Sequence, residues 1–366
     1  MRWPALLVFV VATAVLTGCT TGAPQAPSQV LLPSRTVQPG FDGAATLPPP
    51  DMTDDGPGSL IDVKPLTDQF YLDEVDATAV RVVYRSTSGL NGPPTQVSGV
   101  VAVPPGAPPK GGWPIMAFGH DLTGVANKCA PSLAPDLYGY AAFMSVMLAR
   151  GYVVAMTDYQ GLGLGGSQHS LLDVATLGNN MIDVARAARH VLVTAGTRWA
   201  AFGAGEGGAA SWAATERAGA YGGGLDLVGA VALSPLADLS GLALAAQSGT
   251  LTSDQYRLEV QVLNDLASTP GFNLDDFRAG LAKDRWDLLS DCAPADPVLA
   301  AQIYSQLKPA DLMPHDPAAA AQLHNALADA ALPLNAGTPT TAPLLVVYGT
   351  DDKLMSGAWI ASALNR

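Results

Sequence analysis

Basic charge is scarce in this 366-residue chain: 19 Lys and Arg stand against 32 Asp and Glu, for a net charge of −13. No basic run appears anywhere. Binding a nucleic-acid backbone needs clustered Lys and Arg, so nucleic acid is excluded as an expected partner. Charged residues of both signs make up only 14% of the chain while hydrophobic residues make up 48%, which excludes a disordered polyelectrolyte and implies a large folded core. No internal repeat is visible. The sequence carries no metal-ligand pattern, and no cofactor is expected.

Cysteine is scarce too, with three in all. Cys19 closes the N-terminal segment, where Arg2 precedes an apolar run from Ala5 to Leu16 that is too short for a stable transmembrane anchor. The run ends in Leu16-Thr17-Gly18-Cys19, which resembles a bacterial lipobox. Residues 1–19 are therefore expected to be a lipoprotein signal peptide, with Cys19 as the lipid-attachment site. An ordinary secretory signal that happens to contain a cysteine is the other reading. A lipid on Cys19 implies an exported bacterial lipoprotein, anchored to the cell membrane and facing outward without a spanning helix. Cys129 and Cys292 remain as an even pair in an oxidising compartment, where a disulfide is the default expectation and two buried thiols the alternative.

Residues 20–58 are rich in Pro, Gly, Ala, Ser and Thr and read as a flexible tether. Beyond them, "ATAVRVVYRSTS" and "TQVSGVVAVPPG" alternate β-branched residues around "GLNGPP", which predicts an antiparallel hairpin. Five short apolar runs follow: "WPIMAFGH", "GYVVAMTDY", "RWAAFGAG", "LVGAVALSP" and "PLLVVYGTDD". Each is bounded by Gly or Pro and predicts a strand buried on both faces. Helical patterns between several of them predict an α/β architecture, a mostly parallel sheet with helices on both faces. Residues 240–332 break the alternation with a long helical stretch, expected to be a cap inserted into a core of residues 59–239 and 333–366.

The third run leads into Gly203-Ala204-Gly205-Glu206-Gly207-Gly208, a strand meeting a helix through a sharp turn. Small residues flank the apex as a nucleophile elbow requires, yet the apex is Gly205, which offers no atom to attack an ester. A phosphate loop is excluded because no Gly-Lys-Ser/Thr follows.

"GGWPIMAFGHDLTGVANKCAPS", "GYVVAMTDYQGLG", "RWAAFGAGEGGAAS", "GAVALSPLADLSGL" and "PLLVVYGTDDKL", in that order, resemble the secretory lipase family of α/β-hydrolases. The resemblance implies an α/β-hydrolase fold with a helical lid and a family chemistry of hydrolysing acylglycerols and other carboxylic esters. It places Gly205 at the nucleophile position and Glu206 where Gln is usual. Backbone N–H groups of Asp121 and Glu206 would form the oxyanion hole, and Asp352 would stand at the position of the triad acid, with Asp351 a weaker candidate. The turn-and-cap reading of Asp352, ahead of a helix in "DDKLMSGAWIASAL", stays open. The resemblance also implies a disulfide from Cys129 to Cys292, joining the segment after the oxyanion loop to the cap.

A triad histidine should follow the acid, together with a final strand and helix. This sequence ends at Arg366, with no histidine after His324. His120 falls in the oxyanion segment, His169 after "DYQGLG", His190 in a helix, and His315 and His324 in the cap. Ser211, well past the apex, reads as an ordinary helix residue. Glu206 is one position out of register for a nucleophile; it is expected to point away from the pocket and to serve as an acidic residue in the helix's first turn. The expectation is a lipoprotein with a vestigial hydrolytic centre that retains an acyl lipid or ester ligand or an unidentified protein partner; the alternative is an active lipase or esterase with a non-standard nucleophile.

Overall fold

The short apolar runs become the inner strands of one eight-stranded sheet in the computed structural model, which describes residues 47–89, 92–166, 169–337 and 340–366. The expected signal peptide, Cys19 and most of the expected tether lie outside the described residues. Within them, no helix is long and apolar enough to cross a membrane.

The strands are β1 (Leu60–Leu66), β2 (Thr78–Thr87), β3 (Pro94–Val103), β4 (Trp113–Gly119), β5 (Val153–Thr157), β6 (Ala195–Ala204), β7 (Asp226–Leu233) and β8 (Leu344–Val347). Their spatial order is β1-β2-β3-β5-β4-β6-β7-β8. The predicted hairpin is β2 and β3, antiparallel from Thr78↔Val103 to Thr87↔Pro94. β3 joins β5 antiparallel, and β5, β4, β6, β7 and β8 run parallel.

Period-two alternation explains why the central runs are apolar without interruption. Ile115, Ala117, Val153 and Ala155 face one core layer, while Phe118, Val154 and Met156 face the other. The α-helices that precede β7 are α1 (Phe70–Asp73), α2 (Tyr140–Leu148), α3 (Val174–Val191) and α4 (Glu206–Tyr221). Ala141, Met144 and Leu148 of α2 cover the Phe118 side. Met181, Ile182 and Ala185 of α3, with Ala210 and Ala213 of α4, cover the Ile115 side. Both faces are thus excluded from water, as parallel sheets require.

Among the described residues, six α-helices lie between β7 and β8: α5 (Ser240–Ser248), α6 (Gln255–Leu266), α7 (Gly280–Asp284), α8 (Trp286–Leu289), α9 (Pro297–Gln306) and α10 (Pro317–Asp329). Asp296 and Asp316, each followed by Pro at the first helical position, cap α9 and α10 by accepting from the N–H of Leu299 and Ala319. The last helix is α11 (Gly357–Asn365). The described end of the expected tether, residues 47–58, lies on the body: Leu47 packs against the core and the Asp51 N–H donates to the His190 carbonyl at 2.8 Å.

Candidate active site

Gly205 sits between β6 and α4 at φ 55°, ψ −115°, a positive φ that favours glycine. A Cβ on Gly207 would lie 2.0 Å from the Gly119 carbonyl oxygen, so the start of α4 meets the end of β4 backbone to backbone. Together with the parallel pairing of Gly119 and Gly203, this close approach brings the segment after β4 over the apex. The sharp strand–turn–helix geometry of an elbow is present, with glycine at its tip.

The Asp121 carboxylate lies against that tip. A Cβ built on Gly205 would fall 1.8 Å from Asp121 Oδ1. The same oxygen accepts the Glu206 N–H at 3.2 Å and the Leu122 N–H at 2.7 Å. Burial pushes the Asp121 carboxyl above its ordinary range, and these two N–H bonds offset part of that rise. Its position at the N-terminus of a 16-residue helix also suits a negative charge. The Asp121 N–H donates to the Tyr140 hydroxyl at 3.1 Å. Both N–H groups assigned to the oxyanion hole by resemblance therefore have partners inside the protein.

Glu206 corrects the expectation that its side chain turns away from the pocket. It belongs to the first turn of α4, as expected, but it is buried and borders a void of about 10 Å³ with Leu171, Leu177, Leu236, Leu239 and Leu327. Its Oε1 lies 2.5 Å from His169 Nε2, and His169 Nδ1 lies 2.8 Å from the Gln160 carbonyl oxygen. A carboxylate on one ring nitrogen and a carbonyl on the other suit an imidazolium donating from both. Burial alone would push the His169 imidazole down; the charge and hydrogen bond of Glu206 outweigh it and hold it up. Glu206 Oε2 is buried with no partner. Burial pushes nearby Asp265 up to about 6, against the opposing pull of His169.

The remaining candidates are dispersed. Asp352 Oδ1 accepts the N–H groups of Leu354 and Met355 at 2.9 and 3.1 Å, and among the described residues no histidine is bonded to it. It holds its own turn, while Ser356 caps α11 through the Ala358 N–H. Asp351 is exposed. Ser211 is buried within α4. The His120 ring contacts the carbonyl oxygens of Asp121 at 2.7 Å and Asp158 at 3.4 Å. His190 sits in the last turn of α3, His315 follows α9 and His324 lies on α10. Cys129 and Cys292 form a disulfide, Cα atoms 5.7 Å apart, which links the segment after the oxyanion loop to the cap.

The His169–Glu206 pair is the feature that sequence reasoning missed. The two residues are 37 positions apart in a loop and a helix, and no local pattern couples them.

The secretory lipase family model matches residues 139–293. A Mycobacterium tuberculosis protein named a probable inactive lipase is 31% identical over 207 residues, covering 53% of this chain and 44% of that protein; the chain thus spans under half the length of this curated relative. Among solved structures, Candida antarctica lipase A in its closed state has a TM-score of 0.64 at 16% identity, covering 85% of this chain and 74% of that one. The rice cell wall degrading esterase LipA from Xanthomonas oryzae has a TM-score of 0.64 at 18% identity, covering 85% and 88%. At those identities the structural likeness speaks for the fold. The resemblance to the secretory lipase family is therefore borne out, by the family model across residues 139–293 and by an α/β-hydrolase fold around them.

Proposed function

We propose that this chain is an exported lipoprotein, held at the outer side of the cell membrane through Cys19, whose secretory-lipase body has lost ester hydrolysis and retains binding of an acyl lipid or a protein partner. One observation carries the reading: Gly205 at the elbow tip with the Asp121 carboxylate in the space of a missing side chain. Acyl transfer of the family type needs a hydroxyl there and free N–H donors for the oxyanion. Glycine supplies no hydroxyl, and the Glu206 N–H is bonded to Asp121. The name of the mycobacterial relative, a probable inactive lipase, fits this view.

The test is purified protein offered short-chain p-nitrophenyl esters and a fluorophosphonate probe. No turnover above the uncatalysed rate and no covalent labelling are expected. Turnover, or stoichiometric labelling, would overturn the proposal. Growth with radiolabelled palmitate tests the anchor, with label expected on the chain and lost in Cys19→Ala.

A second reading, residual hydrolysis through a non-standard group, draws on the Glu206–His169 pair, a carboxylate and an imidazole in contact beside the apex. It predicts measurable turnover that Glu206→Gln abolishes.

A further inference from the structure

Helix α6 is packed on nearly every side: ten of its twelve residues are buried. Yet six of the twelve are polar, the composition of a helix that keeps one face in water. Glu259 is fully buried, and neither of its carboxyl oxygens has a hydrogen-bond partner among the described residues. Gln261 Oε1 is likewise buried without a partner, although its Nε2 donates to the Ser290 carbonyl at 3.2 Å. Unmet polar groups of this kind make a buried element costly to keep in place.

Side-chain bonds hold the two ends of the helix. Near its start, Gln255 accepts the Thr252 N–H at 3.0 Å and donates to the Leu354 carbonyl at 3.3 Å. Near its end, Asp265 Oδ2 accepts the Leu172 N–H at 3.4 Å, a long bond to the loop that carries His169. Gly249 precedes the helix and Gly271 follows it, both at positive φ, and a Cβ on Gly271 would meet nothing within 4 Å. Glycines on either side of a helix suit a hinged segment.

Charge works against this seat as the pH rises. Burial pushes the Glu259 carboxyl up to about 8. Burial also pushes Asp265 up to about 6; Glu206 adds to that rise, while His169 and the N–H groups of Leu172 and Leu171 oppose it. Both carboxyls hold their protons more tightly in the seat than in water, so deprotonation favours the unseated helix. The window runs from 4.5 to about 8 for Glu259 and from 3.8 to about 6 for Asp265.

We propose that α6 is a pH-responsive element, seated beside the His169–Glu206 pair in acid and swinging out on the segments around Gly249 and Gly271 at alkaline pH. Unseating exposes Leu258, Val260, Val262 and Leu263, all buried in the seated form, and releases the loop next to His169. The central sheet keeps its packing throughout.

Hydrogen exchange read by mass spectrometry at pH 5.0 and 8.5, corrected for the intrinsic exchange rate, tests the device. The probe is the peptide spanning Gln255–Leu266, and α3 is the internal reference. Opening of α6 relative to α3 should rise at least about tenfold between the two pH values. Glu259→Gln/Asp265→Asn should remove that rise, and a thermal melt of the variant confirms that it is folded. Glu259→Gln alone, which leaves the wider window without its titrating group, should remove most of it. Protection of α6 that is independent of pH overturns the proposal. So does a loss of protection that α3 shares in equal proportion, or a pH response that survives in the folded double variant.

Discussion

Asp121 Oδ1 occupies the position that a side chain at residue 205 would need, 1.8 Å from where its Cβ would stand. The carboxylate and the glycine are complementary: one fills the volume and accepts the Glu206 N–H that the other leaves open. This pairing makes the elbow a closed structural unit and gives its energetics a definite form.

Gly205→Ala should destabilise the protein by about 1–3 kcal/mol, because its methyl group displaces the Asp121 carboxylate. In an Asp121→Ala background the same change should cost only about 1 kcal/mol, the residual strain of a positive φ. Urea denaturation of the four proteins measures the coupling. Equal costs in the two backgrounds would show that the carboxylate does not oppose a side chain at the apex.

The His169–Glu206 pair should leave a signature in the pH dependence of stability. The folded His169 is held above the ordinary imidazole value of 6.5, while the unfolded chain titrates near that value. Its contribution is fully present below pH 6.5 and lost as pH rises through the folded pKa. Wild type should therefore lose stability above pH 6.5 more steeply than Glu206→Gln. An NMR titration should find the His169 midpoint above 6.5 and lowered in Glu206→Gln.

Glu259, on α6, is buried with neither carboxyl oxygen partnered, and burial pushes it up to about 8. In the unfolded chain it ionises near 4.5, so folding is progressively penalised between pH 4.5 and 8. Glu259→Gln should be close to neutral at pH 4.5 and stabilising at pH 8.5, by an amount on the order of 2–4 kcal/mol. Denaturation curves at the two pH values decide it; a gain independent of pH would refute the ionisation argument.

Reduction of Cys129–Cys292 opens a link across 163 residues. The loop-entropy relation gives a loss of about 3–5 kcal/mol, read as a lower thermal midpoint in reductant. Cys129→Ala/Cys292→Ala should show the lower midpoint without reductant and no further fall with it.

The inner strands were legible because burial on both faces leaves uninterrupted apolar runs such as Val153–Thr157. The run of helices between β7 and β8 was legible as a break in strand–helix alternation. Gly205 was legible because an elbow's glycines are local requirements of its backbone. The Glu206 side chain was misplaced, since its first-turn position says nothing of which groups pack against it. The turn at Asp352 was only partly legible: its carboxylate closes its own turn, while Ser356, four residues on, caps the helix.

The sequence by itself determined the strand and helix order, the family resemblance and the absence of a hydroxyl at the elbow tip, because these follow from local periodicity and from the identity of one residue. Only the tertiary structure decided that the Asp121 carboxylate lies against Gly205 and that Glu206 pairs with His169. Each depends on groups distant in sequence, brought together by close packing of β4 against α4 and by the loop laid over α4. Burial then sets the charge balance of those groups, which no local pattern of residues records.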